Sequence, residues 1–223
     1  MESPKDGNSE DGVLCFAYGS NLSLTQMRCR CPSSQPIGLA HLPGWAWLIN
    51  ERGYANIVRK RTPRPALPSN PSTLSLRSST SVIPRHNGSD GGVKSSDEKE
   101  AKEETLESPT EDERPRGVWG VVYRLHEEDE YILDICEGVP WAYEKRYLHV
   151  NLFPHPNSGE TDKMKTVRVL VYIDFQRVTP SEPRIEYVDR MNRGIKDAME
   201  RWGLPYTYVN AIMRPYIPER LTD

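Results

Sequence analysis

A mixed α+β domain built on a curved or closed sheet is the fold class this sequence predicts, and three observations lead there. About six strand-like and four helix-like segments follow one another in irregular order, without the regular strand–helix–strand repeat of a doubly wound parallel sheet. The chain has 223 residues, enough for one generous domain or two small ones. Only 36% of it is hydrophobic and 19 residues are Pro, so a good part of the chain builds no core, which favours a single domain.

The elements follow in order. Residues 1–12 are polar and acidic and read as a disordered tail rather than a signal peptide. Val13-Leu14-Cys15-Phe16 is an apolar run that reads as a buried strand, and Ser23 to Arg28 reads as a helix ending near Cys31-Pro32. A polar turn leads to Gly44–Asn50, whose alternation and aromatic content predict a strand. Arg52–Val58 predicts another after a short turn. From about residue 61 to 114 the composition changes to Pro and Ser, then to the charge run Asp97–Glu104. Such a stretch offers too little apolar surface to offset the entropy of ordering, and it reads as a disordered insertion. A long insertion is tolerable because closing a longer loop costs only about (3/2)RT ln n; the alternative is a linker between two domains. Order returns with the strand Gly117–Leu125. A short helix follows from Glu127 to Cys136, with acidic residues at its N-terminal end where the dipole favours them and Gly138 and Pro140 as its stop. Its residues Tyr131, Ile132, Ile135 and Cys136 share a face that predicts its buried side. Arg146–Phe153 and Thr166–Phe175 predict strands, the second alternating Val167, Val169, Val171 and Ile173 with more polar partners. Ile185, Val188, Met191, Ile195, Met199 and Trp202 recur at helical spacing up to Gly203-Leu204-Pro205, and Val209, Ile212 and Met213 mark a last helix.

Charge and composition narrow the function. The net charge is -3, with no basic surplus to suggest nucleic acid or an anionic membrane surface, and no apolar run is long enough to span a bilayer. The four cysteines, Cys15, Cys29, Cys31 and Cys136, include no second pair at zinc spacing; they read as free thiols in a cytoplasmic protein, and no metal site is expected.

Two places carry chemistry. The stretch Phe16-Ala17-Tyr18-Gly19-Ser20-Asn21-Leu22 turns from strand to helix, which leaves backbone N–H groups that can gather on a carboxylate or a developing oxyanion. The plainer reading is an ordinary joint, with Gly19 at a positive φ and Asn21 or Ser23 as N-cap. Glu137 closes a short helix between Ile135-Cys136 and Gly138-Val139. Apolar neighbours and the negative end of a helix both raise a carboxyl pKa, and a Glu tuned upward can take and return a proton near neutral pH. Its plainer reading is a surface residue at a helix end. Ser20 lacks a recognisable His base, Cys136 reads as a buried core thiol, and Trp141 reads as packing or as pocket lining. No P-loop or dinucleotide fingerprint is present.

These pieces resemble the γ-glutamylcyclotransferases. The resemblance rests on Phe16–Leu22, Val118-Trp119-Gly120-Val121-Val122-Tyr123 and Leu133-Asp134-Ile135-Cys136-Glu137-Gly138-Val139, with weaker matches at Tyr143, Tyr187 and Gly203-Leu204-Pro205. It covers residues 13–60 and 115–217, and its Tyr-Gly-Ser-Asn-Leu form is similar to the general branch rather than the glutathione-specific one. It implies one domain over 13–217 with a small barrel of about six strands ringed by helices. It implies an enzyme that releases 5-oxoproline from a γ-glutamyl compound, with a small-molecule substrate, no cofactor and a homodimer left open. By motif position it makes Glu137 the acid/base and Cys15, Phe16, Ala17, Tyr18, Gly19, Ser20 and Asn21 the substrate loop. The family's pocket tyrosine matches Tyr187, with Tyr143 as the other candidate. A γ-glutamylamine or a glutathione adduct as substrate, or a non-catalytic binding protein on the same fold, stays open on the sequence.

Overall fold

The computed structural model describes residues 12–60, 117–153 and 164–219. Apart from Gly12, the expected tail and insertion lie outside the described residues. Seven strands are present among the described residues. Five close into a barrel: β1 (Val13–Ala17), β2 (Gln35–Leu42), β5 (Val118–Leu125), β6 (Glu144–Leu152) and β7 (Lys165–Ile173), in the order β1-β5-β2-β6-β7. Neighbours pair antiparallel except where the barrel closes, at a parallel contact of β1 with β7 through Cys15 and Leu170. The remaining two, β3 (Trp45–Ile49) and β4 (Ala55–Arg59), form a separate antiparallel hairpin. Three helices of more than one turn accompany them: α1 (Leu24–Arg30), α2 (Glu127–Glu137) and α3 (Ile185–Trp202). After α3 come one turn, Tyr206–Tyr208, and a π-helical segment, Val209–Met213, where the last helix was expected.

The strand absent from the sequence reading is β2. Its first residues, Gln35-Pro36-Ile37-Gly38, look like a turn because Pro cannot donate to a ladder and Gly has no side chain to pack. The strand accommodates both with a register shift between Pro36 and Gly38, and beyond it Leu39, Ala40 and Leu42 are buried against β5. The alternation in β7 is also only half of its story. Val169, Leu170, Val171, Tyr172 and Ile173 are all buried, as both faces of the strand are covered. On the outer side the Tyr172 hydroxyl donates to Asp134 of α2 at 2.7 Å.

The sequence assigned α2 the wrong face. Tyr131 and Ile135 are 68% and 63% exposed and Ile132 is also exposed, whereas Leu133 is buried. The stripe turned toward the barrel is Glu130, Leu133, Asp134 and Glu137, four positions at helical spacing. Polar groups can face inward here because donors meet them. Lys145 of β6 bonds to Glu130 and, at 2.9 Å, to Asp134. The expected stripe of α3 is kept at Met191, Ile195 and Trp202, with Val188 and Met199 partly buried against the core. Tyr187, Met191, Ile195, Ala198 and Trp202 are buried, while Ile185 is fully outside.

α3 packs on the chain that follows β1, and its contacts fix that loop. Asp197 accepts from Ser23 Oγ and from the Leu24 N–H, both at 3.0 Å, so it caps α1 alongside Ser23, whose own Oγ accepts from the Gln26 N–H. At the other side of β1, Gly120 of β5 leaves room for close passage. A Cβ there would stand 2.4 Å from the Ala17 carbonyl oxygen and 2.7 Å from the Phe16 ring. Gly120→Ala is therefore expected to cost about 1–3 kcal/mol through forced displacement of β1, read as a drop in the denaturant midpoint; an unchanged midpoint would contradict this packing.

Candidate active site

The residues after β1 are held in one conformation by side chains from four directions. Ser20–Leu22 form a 3-10 turn in which the N–H groups of Leu22 and Ser23 donate to the carbonyls of Gly19 and Ser20. Trp47 of the hairpin donates its indole N–H to the Tyr18 carbonyl at 3.0 Å. The Tyr187 hydroxyl accepts from the Ser20 N–H at 3.2 Å. The Ser20, Leu22 and Ser23 amides of the loop are thus engaged, which leaves fewer donors than the open cradle expected from the sequence. Gly19 has φ -110°, not the positive φ proposed for it. Its missing side chain serves close approach instead, because a Cβ would lie 2.8 Å from the Tyr187 hydroxyl.

Glu137, the last residue of α2, meets this loop. Asn21 Nδ2 donates to Glu137 Oε1 at 2.9 Å, and an Arg30 guanidinium nitrogen reaches the same oxygen at 3.2 Å. The same Arg30 nitrogen donates to Asn21 Oδ1 at 3.0 Å, so carboxylate, amide and guanidinium form a closed triangle. Gln26 extends the network. Its amide donates to Asn21 Oδ1 and Ser20 Oγ, while Arg190 of α3 donates to Gln26 Oε1 and Ser20 Oγ. Both side-chain oxygens of the loop are thus fixed by partners in α1 and α3.

A cavity of about 220 Å³ opens over this network. Cys15, Phe16, Ala17, Tyr18, Gly19, Ser20, Asn21, Glu137 and Tyr187 all line it, so the structure gathers every site residue named from the sequence. Tyr143 lines it too, with its hydroxyl donating to the Ala55 carbonyl at 2.9 Å, so both tyrosine candidates are present. Two readings fail. Cys136 is exposed at the cavity edge rather than buried in the core, because it sits on the outward side of α2. Trp141 is 83% exposed and lines no part of the cavity. Sequence reasoning missed the three arginines of the lining, Arg30, Arg52 and Arg190. Only Arg190 carried a signal, standing one helical turn after Tyr187 and so on the same face of α3.

Electrostatics follow from this geometry. Burial raises the Glu137 pKa above the ordinary glutamate value, while Arg30, the Asn21 hydrogen bond, Arg190 and Arg52 pull it back down. Burial also pushes the Tyr187 phenol up to about 12 and the Tyr143 and Tyr18 phenols well above their usual value, so all three stay protonated at neutral pH. The cavity therefore offers one carboxyl able to change protonation state, surrounded by groups with fixed charge or fixed protons.

No family model and no curated protein sequence matches the chain. Solved structures do match its backbone. One described as a gamma-glutamyl cyclotransferase superposes with a TM-score of 0.57 at 18% identity, covering 96% of this chain and 92% of its own. The fold is that of gamma-glutamyl cyclotransferase. An uncharacterized protein from Homo sapiens gives a TM-score of 0.56 at 19% identity over 96% of this chain and 93% of its own. YkqA from Bacillus subtilis gives 0.54 at 14% identity, with 95% of this chain matching 57% of that longer one. The barrel ringed by helices that the sequence resemblance implied is thus present, with five strands in the barrel and two in the hairpin.

The triangle makes a testable statement about Glu137. Arg30 favours the carboxylate, so Arg30→Met should move the Glu137 midpoint further up. Carboxyl-carbon NMR titration of the variant reads this, and a midpoint that falls would contradict the contact.

Proposed function

We propose that this chain is a γ-glutamylcyclotransferase, converting a γ-glutamyl compound into 5-oxoproline and a free amine. One observation carries the reading: a partly buried carboxyl whose pKa is raised shares a small cavity with the backbone turn after β1, and is hydrogen-bonded to that turn through Asn21. The backbone likeness to a structure named for this activity supports it.

The chemistry then runs within one substrate molecule. The Glu137 carboxylate takes a proton from the α-ammonium group. The freed amine nitrogen attacks the γ-carbonyl carbon, a C–N bond forms, and the carbonyl π pair moves to oxygen. The amides of Gly19 and Asn21 stabilise the oxyanion. As the carbonyl re-forms, the bond to the leaving nitrogen breaks, Glu137 returns its proton to that nitrogen, and the ring nitrogen gives up its second proton to the departing amine, which leaves as an ammonium. Ring closure within one molecule requires orientation rather than an enzyme nucleophile or a cofactor. A carboxyl tuned upward suits both halves of the proton transfer, since it must accept at one step and donate at the next. The neutral Tyr187 hydroxyl, already holding the Ser20 N–H, keeps the turn in the receiving shape. This activity is assigned to one domain over 13–217, with 61–114 as an insertion between β4 and β5.

Release of 5-oxoproline from a panel of γ-glutamyl dipeptides, glutathione and γ-glutamylamines, measured by mass spectrometry, tests the proposal. Glu137→Gln should keep the fold and lower turnover about 10²–10⁴-fold. Full turnover in that variant, or tight binding of the whole panel by the natural chain with no product, would sink it.

A further inference from the structure

The three arginines of the cavity are not equally occupied. Arg30 is paired with Glu137 and Asn21. Arg190 donates to Ser20 and Gln26. Arg52, in the turn between β3 and β4, is different. Its guanidinium lies over two aromatic faces, 5.5 Å from the Tyr54 ring centre and 5.4 Å from that of Tyr143. One of its terminal nitrogens is buried and, among the described residues, has no hydrogen-bond partner. Burying an unpaired charged donor is costly, and a native structure that keeps one calls for a partner or a role that offsets the cost.

The chemistry of that ligand follows from the surroundings. A guanidinium presents a planar fork of donors that fits a carboxylate through two parallel hydrogen bonds. The two rings fix the plane of the fork without satisfying its N–H groups. Position separates Arg52 from the turn after β1. Tyr187, which contacts Ser20, meets Tyr54 edge-on at 5.0 Å, and Arg52 lies beyond Tyr54. A ligand seated on the turn and Glu137 shares its cavity with the Arg52 guanidinium.

We propose that Arg52 is a specificity-determining residue that binds a carboxylate on the leaving half of the substrate. The proposal rests on the cyclotransferase reading of the site and deepens it. The cavity contributes three guanidinium groups and one carboxyl, so Glu137 leaves a surplus of positive charge for an anionic substrate to neutralise. A γ-glutamyl amino acid has a carboxylate at each end. A γ-glutamylamine, or a dipeptide blocked as its carboxamide, lacks the one that Arg52 would hold.

The test compares γ-glutamylalanine with its C-terminal carboxamide, two ligands of nearly equal shape. The natural enzyme should favour the free acid in kcat/KM by about 10- to 100-fold, the range of a hydrogen-bonded charge pair. Arg52→Ala should abolish that preference by lowering kcat/KM for the acid, mostly through KM, far more than for the carboxamide. Arg52→Lys, which keeps the charge but not the fork, should restore part of it. Equal loss on both substrates makes Arg52 a brace for Tyr54 and Tyr143 and overturns the proposal, as does a natural enzyme that does not distinguish them. Calorimetric binding of the same pair to Glu137→Gln, with and without Arg52→Ala, separates this from the reaction itself. If neither compound is turned over but the acid binds tighter in an Arg52-dependent way, the cyclisation reading fails and the carboxylate site stands. If neither binds, both fall.

Discussion

Asn21 and Glu137 are 116 residues apart in the chain and 2.9 Å apart in space, and their contact ties together two parts of the cavity wall. It joins the turn after β1 to the C-terminal end of α2. Neither end is rigid alone. A 3-10 turn of three residues has few hydrogen bonds of its own, and the last turn of a helix has unpaired carbonyls. Arg30 bridges the two, reaching both Glu137 Oε1 and Asn21 Oδ1, and fixes which way the Asn21 amide points: its oxygen faces the cation and its nitrogen faces the carboxylate. A cavity edge made of loop is thereby held as firmly as one made of regular structure.

The contact is kept against a cost. Four favourable influences act on the Glu137 carboxylate, yet burial outweighs them and its pKa stays raised. A raised folded pKa means the charged form is less stable in the fold than in the open chain. Stability attributable to this group is present at acid pH and is lost as pH rises from the open-chain value through the folded one. The rest of α2 offsets the loss. Lys145 links Glu130 and Asp134, Tyr172 donates to Asp134, and Leu133 is buried beside them. Strain concentrated at one carboxyl and compensated along the same helix is what a proton-transfer group in a stable fold requires.

The sequence made some of this legible and hid the rest for identifiable reasons. Strands β1, β5 and β7 and helix α3 stood out because their apolar runs and spacing match their burial, and the turn Tyr18–Asn21 stood out because few structures need that order of residues. Glu137 was visible through its unusual neighbours. The inward face of α2 was not, because the rule that apolar side chains turn inward fails where Lys145, Arg30 and Tyr172 wait on the barrel side. Strand β2 was hidden by Pro36 and Gly38, whose cost is absorbed by a shift in register that only the partner strand reveals. Arg30 and Arg52 were invisible for a deeper reason. An arginine at a helix end or in a hairpin turn looks like solvated charge until the fold brings aromatic rings or a carboxylate over it.

Helix α3 explains why the turn after β1 needs so little local structure. Tyr187, Arg190, Gly194 and Asp197 follow one another at helical spacing and form a single stripe. Each touches the next part of the incoming chain: Tyr187 the Ser20 N–H, Arg190 the Ser20 hydroxyl, Gly194 the side of Leu22, and Asp197 the Ser23 hydroxyl and the Leu24 N–H. The helix thus reads the loop in register over five residues, as one β-strand reads another. A shift of α3 by one residue would break all four contacts together. Preorganised amides are useful to a transition state only when they need not move to receive it. Here that condition is met from outside the loop, by a stripe on a helix more than 160 residues further along the chain.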